Sequence, residues 1–200
     1  MAKAELYRTQ IDRKTRTLFV VACEGQRSEE IYLRFVTAGL RRVEMLPLST
    51  DQDNRCAPRH LLERLSEWRK RNPFDAEDRI ELWMVFDADH HFEARHAIDT
   101  HAVLSEAARV GIAVALSNPR FELWLLLHFE EVPQGSGDWL ERRLRFHLGA
   151  YSHSSYNPTA FKDKVGDAIR RAQTADVLDQ RLPPLHSSRL YTLLLAVLRA

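Results

Sequence analysis

The first regular pattern in the chain is Thr17-Leu-Phe-Val-Val-Ala-Cys23, an almost unbroken apolar run of strand length with β-branched and aromatic residues. A run without polar alternation predicts a strand covered on both faces, as in a parallel sheet. It stops at Glu24-Gly25, and the spacing then turns helical. Ser28 offers an N-cap, Glu29 and Glu30 suit the positive end of a helix, and Ile31, Leu33, Phe35 and Val36 supply apolar faces up to Gly39. Val43 to Leu48 predicts a second strand, with a weaker signal. After a polar loop over Asp51 to Pro58, Leu61, Leu62, Leu65 and Trp68 fall at helical spacing and the helix closes in Arg69-Lys70-Arg71. Ile80 to Phe86 is a third strand that ends at Asp87-Ala88-Asp89. A helix through Ala94 to Arg109 and a fourth strand over Ile112 to Leu116 follow. Strands alternating with helices, each link long enough for a crossover, imply an α/β fold with a four-stranded parallel sheet flanked by helices.

Beyond Ser117 the pattern predicts helices only. Asn118 can cap and Pro119 fits a first helical position, opening a nearly all-apolar, buried helix over Phe121 to Phe129. Further helices are expected over Trp139 to Leu148, Thr159 to Thr174 and Ser187 to Arg199, with Pro183-Pro184 separating the last two. Tyr151 to Tyr156 reads as a polar loop carrying aromatics, and Gln134 to Gly137 as a loop rather than a linker. The expected organisation is a tail over residues 1–16, an α/β core over 17–117 and a helical extension over 118–200 packed on it as one globular unit.

Composition narrows the function. Of 200 residues, 44% are hydrophobic and 28% charged, ordinary for a globular protein and unlike a disordered tail. Lys and Arg number 29 against 28 Asp and Glu, a net charge of +1, so a broad basic field for capturing polyanions is excluded and any such site is local. Two cysteines, Cys23 and Cys56, are too few for a disulfide scaffold or a cysteine zinc cage. Residues 1–14 lack the apolar core of a secretion signal, and no window reaches the roughly eighteen apolar residues of a membrane span. A cytoplasmic protein without membrane contact is expected.

Ligand sites in open parallel sheets lie beyond the carboxyl ends of the strands, where strand order switches. Glu24-Gly25 and Asp87-Ala88-Asp89 both stand there. Asp87 and Asp89, two residues apart in extended chain, point the same way and suit Mg²⁺, which takes one or two carboxylates plus water and phosphate oxygens. An Asp-x-Asp alone more often caps a helix or solvates a loop. Here it lies in the acidic stretch 72–93, with Arg79 as its one basic residue against seven acids, and such a stretch repels phosphate unless a divalent cation intervenes. Glu24 is a candidate third ligand or general acid/base, set against a bland role accepting the next helix's first amides. Glu29 has the stronger bland role, as an ordinary first-turn acid.

Taken together, Glu24-Gly25-x-x-Ser28-Glu29-x-x-Tyr32, Phe86-Asp87-Ala88-Asp89 and Ser117-Asn118-Pro119-Arg120-Phe121-Glu122-Leu-Trp-Leu-Leu-Leu-His128-Phe129 resemble the RloB-like proteins, a family associated with bacterial abortive-infection and restriction loci and grouped with the TOPRIM superfamily. Thr is more usual there at position 28. The resemblance implies a TOPRIM-like core with Glu24, Asp87 and Asp89 as catalytic and metal-binding residues, Mg²⁺ or Mn²⁺ as cofactor, and phosphodiester hydrolysis of DNA or RNA in anti-phage defence. It also implies a partner ATPase encoded nearby, since this chain has no Gly-x-x-x-x-Gly-Lys phosphate loop. The alternative is a non-catalytic subunit that binds nucleic acid or docks on the ATPase.

Gly25, Glu29, His91, Asn118, Glu122 and His128 are candidates for the ring supporting that site. On a helix Glu122 and His128 point apart, so a carboxylate paired with an Arg or backbone amides and a satisfied core histidine are their bland readings. Of His90-His91, at most one can participate. Arg41-Arg42 and Arg142-Arg143-x-Arg145 are candidate phosphate contacts, Arg69-Lys70-Arg71 a third basic cluster, and His153 stands where the family usually carries a Lys. The apolar final helix, Leu190 to Leu198, can bury on the domain or on a second copy.

Overall fold

In the computed structural model, which describes residues 16–25, 27–48, 56–74, 78–92, 96–132, 135, 137–177 and 180–200, the first strand is buried along its whole length. This strand, β1 (Thr17–Cys23), sends Phe19, Val21 and Cys23 into one core and Leu18, Val20 and Ala22 into another. Both faces of the sheet are therefore covered, which is why its run has no polar alternation. Parallel partners flank it: β2 (Val43–Leu48) on one side and β3 (Ile80–Asp87) on the other, with β4 (Ala113–Asn118) parallel to β3. Helices α2 (Pro58–Arg71) and α3 (Ala97–Arg109) cover one face through Leu61, Leu65, Val103 and Ala107.

The other face carries α1 (Ser28–Thr37) and the C-terminal half of the chain: α4 (Phe121–Leu126), α5 (Gly137–Leu148), α6 (Val165–Ala175) and α7 (Leu190–Arg199). Leu190, Leu193, Leu194 and Val197 of α7 are buried in this core, so the final helix packs on its own domain. Among the described residues no helix is long and apolar enough to cross a membrane. Residues 1–15 of the expected tail lie outside the described residues.

The region after Ser117 is not helical throughout. A short strand β7 (Ser187–Ser188) adds antiparallel to β4, giving the order β2-β1-β3-β4-β7, and Tyr151 to Tyr156 is a hairpin of β5 (Tyr151–Ser152) and β6 (Ser155–Tyr156). The last helix accordingly starts at Leu190 rather than Ser187. Asn118 is not an N-cap: pairing with Ser187 makes it the last residue of β4, a cis Asn118-Pro119 bond follows, and Arg120 takes the cap position of α4. Ser28 likewise lies inside α1, where its hydroxyl donates to Glu29 instead of accepting from the first amides. The expected helix from Thr159 begins as a 3₁₀ helix, Pro158–Lys164, because Asn157 Oδ1 accepts from the Thr159 amide and hydroxyl. A second 3₁₀ helix, Asp89–Phe92, precedes α3, and 93–95 lie outside the described residues.

An aromatic cluster locks α1 to α4. The Tyr32 ring meets Phe121, Trp124, His128 and Phe161 edge-on at 5.4–6.1 Å between centroids. Tyr32 OH stands 3.0 Å from His128 Nε2, while His128 Nδ1 is 3.1 Å from the carbonyls of Trp124 and Leu125. That arrangement assigns the proton to Nδ1 and makes Nε2 the acceptor for the Tyr32 hydroxyl. Burial holds the imidazole neutral, lowering its pKa to about 4, so His128 is a satisfied core histidine. Its contribution to stability is present above the ordinary histidine value of about 6.5 and lost as pH falls toward the folded-state value. Urea midpoints of the wild type are therefore expected to fall between pH 6.5 and 4.5, and those of His128→Gln to fall less. Parallel profiles would remove His128 from the cause.

Candidate active site

The strand order switches between β1 and β3, the place in an open parallel sheet where a crevice forms beyond the carboxyl ends. Glu24 follows β1 and Asp87 closes β3, and the two tips are bound together. Glu24 N donates to Val85 O at 2.9 Å, and Asp87 N donates to Glu24 Oε2 at 2.9 Å. The other carboxylate oxygen, Oε1, stands 2.8 Å from Nε2 of the buried His91, which the 3₁₀ turn after Asp89 brings back over the strand end. Desolvation opposes charge on His91, but the Glu24 hydrogen bond and carboxylate outweigh it and raise its pKa.

Asp87 is the exceptional group. Burial pushes its carboxyl well above the usual range, and the charges it feels most are four further carboxylates, Glu29, Glu24, Glu122 and Asp89. Among the described residues no hydrogen-bond donor satisfies it. Asp89 is fixed beside it, its amide donating to Pro119 O at 3.2 Å and its Oδ2 lying 3.4 Å from Arg120 Nε.

All five carboxylates line one cavity of about 320 Å³, together with Gly25, Arg27, Ser28, Arg120 and the hairpin residues His153 and Ser154. A larger hollow of about 640 Å³ lies along α3 and β4, lined by residues such as Leu104, Ile112 and Leu182, and offers no carboxylate or histidine. The smaller cavity is the one that gathers the titratable groups.

Two of the carboxylates have internal partners. Glu29 is buried, folded back over its own loop to accept from Gly25 N at 3.1 Å and Ser28 Oγ at 2.7 Å; burial still raises its pKa. Gly25 has no side chain for this reason: a Cβ there would stand 2.0 Å from Glu29 Oε2. Glu122 accepts from Tyr151 OH at 2.7 Å, and its Oε1 lies 2.9 Å from His153 Nδ1. Burial alone would raise the Glu122 carboxyl, but the bonds from His153 and Tyr151 hold it below the ordinary value. His153 is correspondingly pushed up to about 9 by its bond to Glu122, with Glu141 Oε1 3.2 Å from its Nε2. The hairpin is seated by Tyr156 OH, which donates to Ser28 O at 2.6 Å.

The structure thus brings Glu24, Gly25, Glu29, Asp87, Asp89 and Glu122 together in the cavity lining, sets His91 behind Glu24, and leaves His128 and Asn118 elsewhere. His128 belongs to the aromatic cluster, and Asn118 donates to Pro183 O at 3.0 Å. The His90 side chain lies outside the described residues. Arg41 and Arg42 precede β2, where Arg42 O accepts from Thr17 N, and Arg69 bonds Val110 O ahead of β4; these clusters sit at the opposite end of the sheet. On α5, Arg143 pairs with Glu130 and Arg145 with Glu141, while Arg142 is exposed. In the sequence Arg120 and Tyr151 carried no signal of their own, and His153 stood out only as a departure from the family's usual residue. Beyond that, only their sequence neighbourhoods, the Asn-Pro-Arg-Phe-Glu string and the aromatic loop, pointed at them.

The donor set suits a hard divalent cation. Asp87 and Asp89 present carboxylate oxygens, and Glu24 retains lone pairs beyond those engaged by the Asp87 amide and His91. Among the described residues no three His, Cys, Asp or Glu side chains form a ready-made cage. An ion here would rest on one or two carboxylates, with water and substrate oxygens completing its shell, which is the usual habit of Mg²⁺.

A family model described as RloB-like protein matches residues 19–195. This chain belongs to the RloB-like family. The match runs from β1 into α7, so the carboxylate cavity and the C-terminal half that walls it are both inside the family's span. No curated protein and no solved structure matches the chain.

Removing the charge of Asp87 is expected to relieve repulsion in the cavity. Asp87→Asn should raise stability in the absence of divalent metal by about 1 kcal/mol, and a thermal shift with Mg²⁺, if the wild type binds it there, should be lost. A variant less stable than wild type without metal would contradict this repulsion. Because the His153 pKa is raised, the His153–Glu122 contribution is complete below about 6.5 and lost as pH rises through about 9. Thermal midpoints should fall between pH 7 and 9.5 in the wild type and stay flatter in His153→Gln. Equal slopes would show that the pair does not set this dependence.

Proposed function

We propose that this chain is a divalent-metal-dependent phosphodiesterase acting on nucleic acid. The observation that carries the reading is Asp87: a partly buried carboxylate at the switch point of a parallel sheet, without a hydrogen-bond donor among the described residues and sharing its cavity with four other carboxylates, is suited to a cation. Asp87 and Asp89, with Glu24 beside them, would hold Mg²⁺ or Mn²⁺, which when bound lowers the pKa of water and stabilises charge on a phosphate oxygen. Glu24 accepts the proton of the attacking water as general base. The His91 ring on its other oxygen holds that carboxylate in one orientation. Asp87 N–H fixes Oε2, so the base cannot rotate away from the strand tips. The Tyr151–His153 clamp keeps Glu122 ionised and fixed on the cavity wall.

The resemblance to proteins of abortive-infection and restriction loci supports a role in anti-phage defence, with a partner ATPase supplying the nucleotide chemistry for which this chain carries no phosphate loop. Resemblance to TOPRIM proteins supports the same catalytic trio. A non-catalytic subunit that binds nucleic acid or docks on the ATPase is the second reading, and what favours it is the lack of a three-residue metal cage among the described residues.

Cleavage of labelled single-stranded DNA, duplex DNA and RNA with and without Mg²⁺ or Mn²⁺ separates the two. The wild type should cut at least one of them only with metal, and Asp87→Asn with Asp89→Asn should lose at least about a hundredfold in rate. Equal cutting by wild type and double variant, or metal-independent cutting, would refute the proposal.

A further inference from the structure

Arg120 is delivered to the cavity by the backbone. The tips of β3 and β4 are stitched by Ala88 N to Ser117 O at 2.7 Å and Asp89 N to Pro119 O at 3.2 Å. The residue after Pro119 therefore emerges beside Asp89 in an extended conformation, as the N-cap of α4. Its guanidinium meets the Asp89 carboxylate at 3.4 Å, with the two side chains 40% and 24% exposed. A pair so open to solvent is cheap to break.

The other cations of the cavity are placed differently. Both ring nitrogens of His153 are taken up by Glu122 and Glu141. Arg27 lines the cavity but makes no ion pair with its carboxylates among the described residues. Among the described residues Arg120 is thus a cation paired with one of the two aspartates that would hold a metal. A divalent ion held by Asp87 and Asp89 would compete with that guanidinium for the Asp89 carboxylate and repel it. The displaced side chain keeps its planar fork of donors at the cavity wall, next to where the substrate's phosphate would sit, and that fork fits two oxygens of one phosphate.

We propose that Arg120 is a positioning residue with two successive partners: Asp89 while the site holds no divalent cation, and a phosphate of the nucleic-acid substrate once a cation takes Asp89. This assignment rests on the phosphodiesterase reading. It predicts opposite effects of one substitution on metal and on substrate, which a merely structural arginine would not produce.

The test is Mn²⁺ titration of the free protein, followed by electron paramagnetic resonance, together with steady-state cleavage of an oligonucleotide. Arg120→Gln should bind Mn²⁺ about fivefold more tightly than wild type, the equivalent of a half-exposed ion pair, since the competitor is gone. Its KM should rise about tenfold, with kcat falling less, through loss of a charge-assisted phosphate contact. Arg120→Lys should bind Mn²⁺ as wild type does and still show a raised KM, because an ammonium lacks the fork. Either an unchanged Mn²⁺ affinity or an unchanged KM in Arg120→Gln overturns the exchange of partners. A wild type that neither binds Mn²⁺ nor cuts overturns the phosphodiesterase reading, and this one with it.

Discussion

The Asp87 backbone amide donating to the Glu24 carboxylate is the bond on which the site depends. It joins the tips of β1 and β3, the neighbours between which strand order switches, and it fixes an acid above the sheet's carboxyl end. The cost of that arrangement is electrostatic. Five carboxylates share one cavity, and the charges that Asp87 feels most are the other four. Like charges drawn out of water repel strongly unless paired. The fold tolerates them by giving Glu24, Glu29 and Glu122 hydrogen-bond donors and Asp89 an arginine, and it leaves Asp87 without a donor among the described residues.

The C-terminal half makes this possible. It covers one face of the sheet with α4 to α7, and it returns a hairpin to the cavity rim. Tyr156 ties that hairpin to the carbonyl of Ser28, at the start of α1, while Tyr151 and His153 hold Glu122 at the start of α4. One short segment thereby bridges the loop after β1 and the loop after β4. The family match extends across both halves, as expected if neither builds the site alone.

Much of the core was legible in the sequence because its signals are local. The unbroken apolar run of β1 reports burial on both faces, and Glu24-Gly25 and Asp87-Ala88-Asp89 report strand ends by their abrupt polarity. Gly39 marks the stop after α1, where the backbone turns at φ +86. What escaped was decided by distant partners. Two-residue strands have no periodicity to detect, so β7 was folded into a helix until Ser188 met Ser117. Asn118 looked like a cap because capping chemistry is local, whereas the pairing with Ser187 that claimed it comes from sixty-nine residues further on. Glu122 was expected to pair with an arginine or backbone amides; its partners proved to be a tyrosine and a histidine from the hairpin. His153, at the turn of that hairpin, is a cation shared between Glu122 and Glu141.

The central claim is that the tips of β1 and β3 form a seat for a divalent cation. Anomalous diffraction from crystals soaked in Mn²⁺ tests it most directly. A peak within coordination distance of Asp87 and Asp89 carboxylate oxygens, about 2.0–2.3 Å for a hard divalent ion, is the predicted result. A cavity without a peak at saturating Mn²⁺, or a peak held by other residues, would contradict it.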